Sequence, residues 1–403
     1  MAIEILEGLE KTSQPADRFL KSWFRIRRFA GSKDRRAIAE QVFSVMRGRA
    51  RLGHRMGSDT PRAQVIAALL EAGEDISALF TGGGYGPEPL SDAERAAIAA
   101  TPASAPLWVR GEFPQFLEAE LGRAFGDRLL DEMVALQSRA PTDLRVNTLK
   151  AGREAVIAAL TADGILCAAT PYAPHGIRIG SDATNLSKSA LFESGAFEFQ
   201  DEAAQIAAVL CGAEPGMRIL DLAAGAGGKS LAFAASMQNQ GEIIACDVRG
   251  EALFELEKRA ARAGATIIKT LPLDHAQPSG LFDAVFVDAP CSGTGTWRRQ
   301  PEQRWRLTPG WLAALTETQD KLLDQAAPLV RPGGRLFYAT CSILPVENED
   351  RLAAFGTRHS GFTPLNLADN WPQNPPPGLG QDFRASPAKT GTDGFYCAGL
   401  RRE

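Results

Sequence analysis

Cysteine, histidine and long apolar runs are all scarce in this chain, and each shortage removes a class of protein. Its 403 residues include 6 cysteines and 4 histidines. The cysteines, at 167, 211, 246, 291, 341 and 397, lie far apart with no Cys-x-x-Cys pair. Neither a disulfide framework nor a cysteine zinc site is expected from such spacing. No His-Glu-x-x-His spacing occurs, so no protein-ligated metal is expected either. A membrane helix needs roughly 18 consecutive apolar residues, and no such run is present. The opening MAIEILEGLEKTSQ lacks the basic-then-apolar pattern of a secretion signal. The expectation is a cytoplasmic monomer with no membrane contact. Hydrophobic residues at 44% and charged residues at 23% are enough to build real cores, and the length suits two or three domains.

Net charge is also small, at −4. Its distribution is uneven. Residues 18–55 carry twelve Lys/Arg (18, 21, 25, 27, 28, 33, 35, 36, 47, 49, 51 and 55) against Asp34 and Glu40, a local +10 that leaves −14 elsewhere. A basic cluster of this kind is the electrostatic footprint of nucleic-acid binding. Solvated helix faces are the competing explanation.

What is present divides the chain into three. Residues 1–135 read as helical: Phe19, Trp23 and Ile26, then Ile38, Val42, Val45 and Met46, recur at helix spacing. Gly31-Ser32 separates two segments, Asp34 is placed to cap the second, and SDAERAAIAA opens another with a capping signal. TGGGYGPEPLS (81–91) is a loop. Residues 141–205 form a small α+β piece, with strand-like DLRVNTL and HGIRIG flanking a helix ended by Gly164. From 206 to 403, strands and helices alternate through MRILDLAAG, GEIIACDV, TIIKTLPLD, FDAVFVDAP and GRLFYATCS. That alternation predicts an α/β, Rossmann-like, doubly wound parallel sheet, whose ligands bind beyond the carboxyl ends of its strands.

Two features fall at that edge. The first is DLAAGAGGKS (221–230), a glycine-rich turn between strand and helix. Glycines there let backbone amides approach a ligand. Asp247 ends the next strand, 22 residues after Gly225, where an acid accepts hydrogen bonds from ribose hydroxyls. A nucleoside-bearing cofactor is expected. The phosphate-loop pattern is a rival, but it demands a glycine where Ala223 stands.

The second feature is VFVDAPCSGTG (285–295), paired with YATCS further on, so that Cys291 and Cys341 both follow strands. Cytosine C5 is a poor nucleophile. A thiolate adding to C6 pushes electrons to C5, an acid near N3 eases the addition, and a base must later take the C5 proton. Asp288, Cys291 and Cys341 meet that demand. Residue chemistry alone does not say which cysteine attacks. A free thiol is only a few per cent thiolate at neutral pH, so a neighbouring cation such as Lys229 would help. Cys167, Cys211, Cys246 and Cys397 read as packing.

These pieces resemble the RsmB/Sun family of S-adenosylmethionine-dependent RNA 5-methylcytosine methyltransferases. The match rests on FQDEAAQ, DLAAGAGGKS, DAPCSGTG followed by RRQPEQRW, YATCSILPVENED and TDGFYCAGLRR. Residues 140–403 carry it well. SKDRRAIAEQVFSVMRGR (32–49) is similar to the NusB-like helical RNA-binding domain of bacterial members. The resemblance implies Cys341 as nucleophile and Cys291 as the group that assists product release. It implies a loop of Ala223, Ala224, Gly225, Ala226, Gly227, Gly228 and Lys229 lining S-adenosyl-L-methionine. Asp247 would then meet the ribose, Asp274 the adenine, and Asp288 the methionine end and target base. Where the family often reads Cys-Ala-Ala-Pro-Gly-Gly-Lys, this chain has Ala-Ala-Gly-Ala-Gly-Gly-Lys, which suggests a more flexible loop.

Arg298, Arg299, Arg304 and Arg306, interleaved with Trp297 and Trp305, suggest a surface that holds a splayed RNA strand. The expected activity is methylation of cytidine in RNA, ribosomal RNA first. Transfer RNA is the alternative acceptor, and a non-catalytic RNA-binding or ribosome-assembly protein is the alternative class.

Overall fold

The computed structural model describes every residue except 28–30, 85, 181–185 and 372–373, with the side chain of 370 also left aside. Arg28 of the basic run and Tyr85 of the glycine-rich loop lie outside the described residues. The chain forms two compact units, Met1–Arg139 with Thr296–Leu307, and Ala140–Gly295 with Thr308–Glu403.

The first unit is helical, with Ala2–Glu10, Ala16–Ile26, Ser32–Arg47, Arg49–Met56 and Pro61–Glu71 as its main elements. Their apolar faces meet in a core that includes Ile5, Leu20, Val42, Val45 and Ile66. The expected caps form. Asp34 Oδ2 accepts from the Gly31 N–H at 3.2 Å. Ser91 and Glu94 exchange hydrogen bonds at 3.2 and 2.7 Å. Two further helix starts are capped by buried glutamates from distant sequence, which satisfies orphan amides and complements the helix dipole. Glu112 accepts from the N–H groups of Ala50 and Arg51 at 2.9 and 3.0 Å, and burial pushes its carboxyl up to about 7. Glu302 accepts from the Ala16 N–H at 3.2 Å.

Glu302 belongs to the arginine- and tryptophan-rich stretch, and this unit corrects how that stretch was read. Trp297 is fully buried, and Arg304, 1% exposed, lies over its ring at 4.9 Å. Arg304 donates to the Leu136 carbonyl, and burial lowers its guanidinium to about 10. Arg306 donates to the carbonyls of Leu9, Thr12, Ser13 and Gln14, at 3.0 to 3.4 Å. Trp297 and Arg304 thus close a helical core and are too buried to stack on RNA, whereas Arg299 stays exposed. The basic run is also less free than its count suggests. Lys21, Arg27, Arg49 and Arg51 pair with Asp17, Glu4, Glu10 and Glu71, acids that lie outside the counted segment, and Arg36 pairs with Glu40. Arg55 donates to the carbonyls of Ala97, Ile98 and Ala100. Folding brings the partners of Arg27, Arg49, Arg51 and Arg55 from 20 or more positions away, where a linear charge count is blind.

The second unit holds two sheets. Strands β1 (Thr142–Val146), β2 (Cys167–Ala169), β3 (Gly176–Ile179) and β4 (Phe197–Phe199) form an antiparallel sheet ordered β2-β3-β1-β4. The larger sheet contains β5 (Arg218–Leu222), β6 (Glu242–Asp247), β7 (Ile268–Pro272), β8 (Phe282–Asp288), β9 (Val330–Thr340), β10 (Phe362–Pro364), β11 (Asp382–Ala385) and β12 (Phe395–Arg402). Its order is β10-β12-β9-β8-β5-β6-β7, with β11 on β12. Strands β7, β6, β5, β8 and β9 are parallel. Ile219, Leu220, Ile243, Val285, Phe286 and Val287 are all fully buried, as strands covered on both faces require. The C-terminal strands depart from the all-parallel expectation. β12 runs antiparallel to β9, from Tyr396 opposite Thr340 to Arg401 opposite Arg335, and β10 and β11 pair antiparallel with β12. Strand order reverses at β5, so the crevice beyond the carboxyl ends of β5, β6 and β8 is the switch point where doubly wound sheets bind ligands.

Candidate active site

The cofactor loop leaves β5 at Leu222 and enters the helix Gly228–Ser236. Ala223, Gly225 and Gly227 all have left-handed backbone, at φ of +73°, +56° and +80°. At Gly227 only glycine fits, because an added Cβ would lie 2.4 Å from Leu256 Cγ. Hydrogen bonds anchor the loop near both of its ends. Ala224 N–H donates to the Cys246 carbonyl at 2.7 Å, and Gly225 N–H donates to Asp247 Oδ2 at 2.8 Å. Arg145 of β1 donates to the Gly228 carbonyl and to Gln200 Oε1 at 2.5 and 3.0 Å. Gln200 and Asp201 thus explain the FQDEAAQ stretch structurally: Asp201 accepts from the Asp393 N–H and so ties down the TDGF turn.

Asp247, at the end of β6, is 3% exposed. Burial opposes its charge, but hydrogen bonds from Arg249 and from the Gly225 amide outweigh burial, so its carboxyl lies below the ordinary value. Arg249 holds both oxygens at 3.0 Å and is itself 68% exposed. Asp274 lies on the exposed turn after β7, 3.5 Å from His275 Nε2. The neighbouring Leu273 N–H ties that turn to the Asp247 carbonyl at 3.1 Å.

At the mouth of β8, Asp288 Oδ2 accepts from Lys229 Nζ at 2.5 Å. Burial opposes the lysine's charge, yet Asp288 holds the ammonium above its ordinary value, with a contribution from Cys341. Cys291 and Cys341, fifty residues apart, bring their sulfurs to 3.3 Å. The Cys291 thiol is pushed well up, first by the hydrogen bond with Cys341 and then by burial, so Cys291 keeps its proton. Cys211 and Cys246 are packing: both are fully buried, and burial pushes each thiol to about 12. Gly295 and Gly394 lock the surrounding turns. Gly295 N–H donates to the Cys341 carbonyl and Gly394 N–H donates to the Gly295 carbonyl, both at 2.9 Å. A Cβ on Gly295 would lie 2.1 Å from the Gly394 oxygen.

Sequence reasoning missed two buried acids. Asp221, fully buried at the end of β5, accepts from Ser230 Oγ at 2.5 Å, and burial pushes its carboxyl up to about 7. Its one sequence signal is an acid placed directly before the glycine loop. Glu347, also fully buried, sits below the cysteine pair and receives hydrogen bonds from Ser292 and Ser342. It stands in the quoted PVENED stretch, but nothing in one sequence shows that it folds back onto DAPCS.

A glycine-rich loop, a strand-end acid near it and a thiol pair at the switch point define a Rossmann-like methyltransferase, whose methyl donor is S-adenosylmethionine. The family model for 16S rRNA methyltransferase RsmB/F matches residues 208–401, and that for the RsmF/B-like ferredoxin-like domain matches 113–184. The chain is 33% identical over 297 residues to a probable ribosomal RNA small subunit methyltransferase B of Synechocystis, covering 72% of this chain and 67% of that protein. It is 31% identical over 300 residues to the Bacillus subtilis protein of the same description, covering 72% and 66%. The aligned stretch thus spans about two thirds of each relative's length. The crystal structure of PH0851 superposes with a TM-score of 0.78 at 27% identity, covering 99% of this chain and 97% of that one. The chain belongs to the RsmB/F family of RNA methyltransferases. Among the described residues no helix is long and apolar enough to cross a membrane.

Proposed function

We propose that this chain methylates C5 of a cytidine in ribosomal RNA, through a covalent bond between Cys341 and C6 of the base. The observation that carries this reading is the pair of thiols at 3.3 Å, at the ends of neighbouring strands, with Lys229 and Asp288 beside them. In the proposed cycle S-adenosylmethionine supplies an electrophilic sulfonium methyl group. Cys341 gives its proton to solvent and attacks C6 as a thiolate, N3 of the base takes up a proton from solvent, and Asp288 accepts the hydrogen bond of the resulting N3–H, which eases the addition. Cys291 then assists release: once the methyl group has moved from the sulfonium to C5, the C5 proton passes to solvent, the C5–C6 double bond re-forms and the C6–S bond breaks, which returns Cys341 as a thiolate.

The residues present fit the cofactor. Left-handed turns at Gly225 and Gly227 expose backbone to a ligand that a bulkier loop would exclude. Asp247 is ionised and suited to ribose hydroxyls, which would exchange with the exposed Arg249 guanidinium. Asp274 is assigned to the adenine side. Residues 1–135 are the proposed RNA-binding domain, 141–205 a small α+β subdomain and 206–403 the catalytic domain of a cytoplasmic monomer. The experiment is nucleoside analysis after incubation with labelled S-adenosylmethionine and unmodified small-subunit ribosomal RNA. Label in 5-methylcytidine is the expected outcome. Label on transfer RNA alone would change the acceptor, and label on no RNA despite cofactor binding would overturn the enzymatic reading.

A further inference from the structure

The cysteine pair lies on two turns that share no strand, so something must set the distance between them. The turn after β8 runs Cys291-Ser292-Gly293-Thr294, and the turn after β9 runs Cys341-Ser342-Ile343. Glu347, fully buried, lies between the residues that follow each cysteine. Its Oε1 accepts from the Ser292 backbone N–H at 2.8 Å and from Gln319 Nε2 at 3.0 Å. Its Oε2 accepts from Ser342 Oγ at 2.5 Å and also from Ser292 Oγ. One carboxylate therefore takes four donors from three separate elements. Hydrogen bonds to a charged group are about twice as strong as neutral ones and more demanding in geometry.

The rest of the cage is equally connected. Thr294 Oγ1 lies 3.0 Å from Ser342 Oγ and accepts from the Ile343 N–H at 3.0 Å. Asn348 accepts from Thr340 Oγ1 at 2.6 Å and donates to the Ser342 carbonyl at 3.0 Å. Tyr338 Oη donates to the Glu347 carbonyl at 2.6 Å, which fixes the backbone from which the carboxylate projects. Gln319, on the helix Pro309–Ala326, also donates to the Pro290 carbonyl at 3.0 Å, on the residue before Cys291.

We infer that Glu347 is the positioning residue of the cysteine pair: its carboxylate clamps Ser292 and Ser342 together and so holds the two sulfurs at near-contact distance. Glu347 touches neither sulfur and acts through the two serines. The inference rests on the proposed role of the thiols in methylation, but its geometric part stands without that role. A hydrophobic filler would pack the same space, yet it would take from the Ser292 amide and both serine hydroxyls the charged acceptor they share.

The test reads the sulfur separation directly. Phenylarsine oxide condenses with two neighbouring thiols: two arsenic–sulfur bonds form, the arsenic–oxygen bond breaks, and the oxygen leaves as water with both thiol protons. Full-length protein and the variants Glu347→Gln, Glu347→Ala and Ser342→Ala are titrated with it, and thermal unfolding and S-adenosylmethionine binding are followed alongside. The expected result is at least a tenfold weaker arsenical affinity in both Glu347 variants and about threefold in Ser342→Ala. Cofactor binding should stay within twofold of wild type. Methylation should lose kcat by at least tenfold with the RNA KM within twofold. Arsenical affinity within twofold of wild type in both Glu347 variants would overturn the inference. Should those two fail to fold, unchanged affinity in Ser342→Ala would overturn it instead. Lost chelation in a protein that methylates no RNA would sink the functional reading while leaving the clamp intact.

Discussion

Replacing Asp221 by Asn should make the protein more stable at pH 8 and leave it little changed at pH 4. The carboxyl is fully buried, its Oδ2 bonded to Ser230 Oγ, while Oδ1 has no hydrogen-bond partner among the described residues. Burial is the main reason its pKa rises to about 7, with Asp288 adding to the rise and Ser230 and Lys229 opposing it. An unfolded aspartate titrates near 3.9, so the folded state holds its proton about 3 units more tightly, equivalent to about 4 kcal/mol. A raised acid pKa makes the folded state bind a proton that the unfolded state has lost. Stability therefore falls between about pH 4 and pH 7, by at most about 1.4 kcal/mol per unit, and is lowest above that window. Asparagine keeps an acceptor for Ser230 and removes the titration. The assay is urea unfolding of both proteins at pH 4, 5, 6, 7 and 8, read as the difference between them so that groups common to both cancel. The variant should gain progressively with pH, by about 2 to 4 kcal/mol at pH 8 once partial relaxation is allowed for. A difference that does not change between pH 4 and pH 8 would refute the reasoning.

Other consequences are equally direct. Cys291→Ala should accumulate a protein–RNA adduct that survives denaturing electrophoresis, whereas Cys341→Ala should form neither adduct nor 5-methylcytidine; adduct in the Cys341 variant would reverse the two roles. Gly227→Ala places a Cβ 2.4 Å from Leu256 Cγ at a φ of +80°. Left-handed strain and overpacking together should cost about 3 kcal/mol, and S-adenosylmethionine affinity should fall with it; an unfolding midpoint equal to wild type would show that Leu256 yields.

The relation between sequence and structure differs from one feature to the next. Local signals reported local structure well. Asp34 and Ser91 cap as expected, because an N-cap involves only the next three residues. The strand-and-helix alternation after residue 206 announced the sheet, because strands buried on both faces are written as continuous apolar runs. Strand β12 was recognised by its resemblance alone. The residues that complete its antiparallel pairing, 335–340, lie some 60 positions away.

Charge was the least legible property. Arg306 looked available for a phosphate and instead takes four main-chain carbonyls from residues 9–14. Its partners lie almost 300 positions away in sequence, and no periodicity or composition encodes such a pairing.

By itself, then, the sequence determined the chemistry available: a glycine loop, a strand-end acid, two cysteines at strand ends and a lysine. Those are matters of residue type and spacing within one strand and its following turn, where covalent geometry dictates the outcome. Tertiary structure alone decided which of these groups meet. It brought Cys291 to Cys341, Lys229 to Asp288 and Glu347 to both serines. Each of these contacts joins segments at the carboxyl ends of different strands, and only the order and register of a folded sheet fix how far apart its strand ends lie.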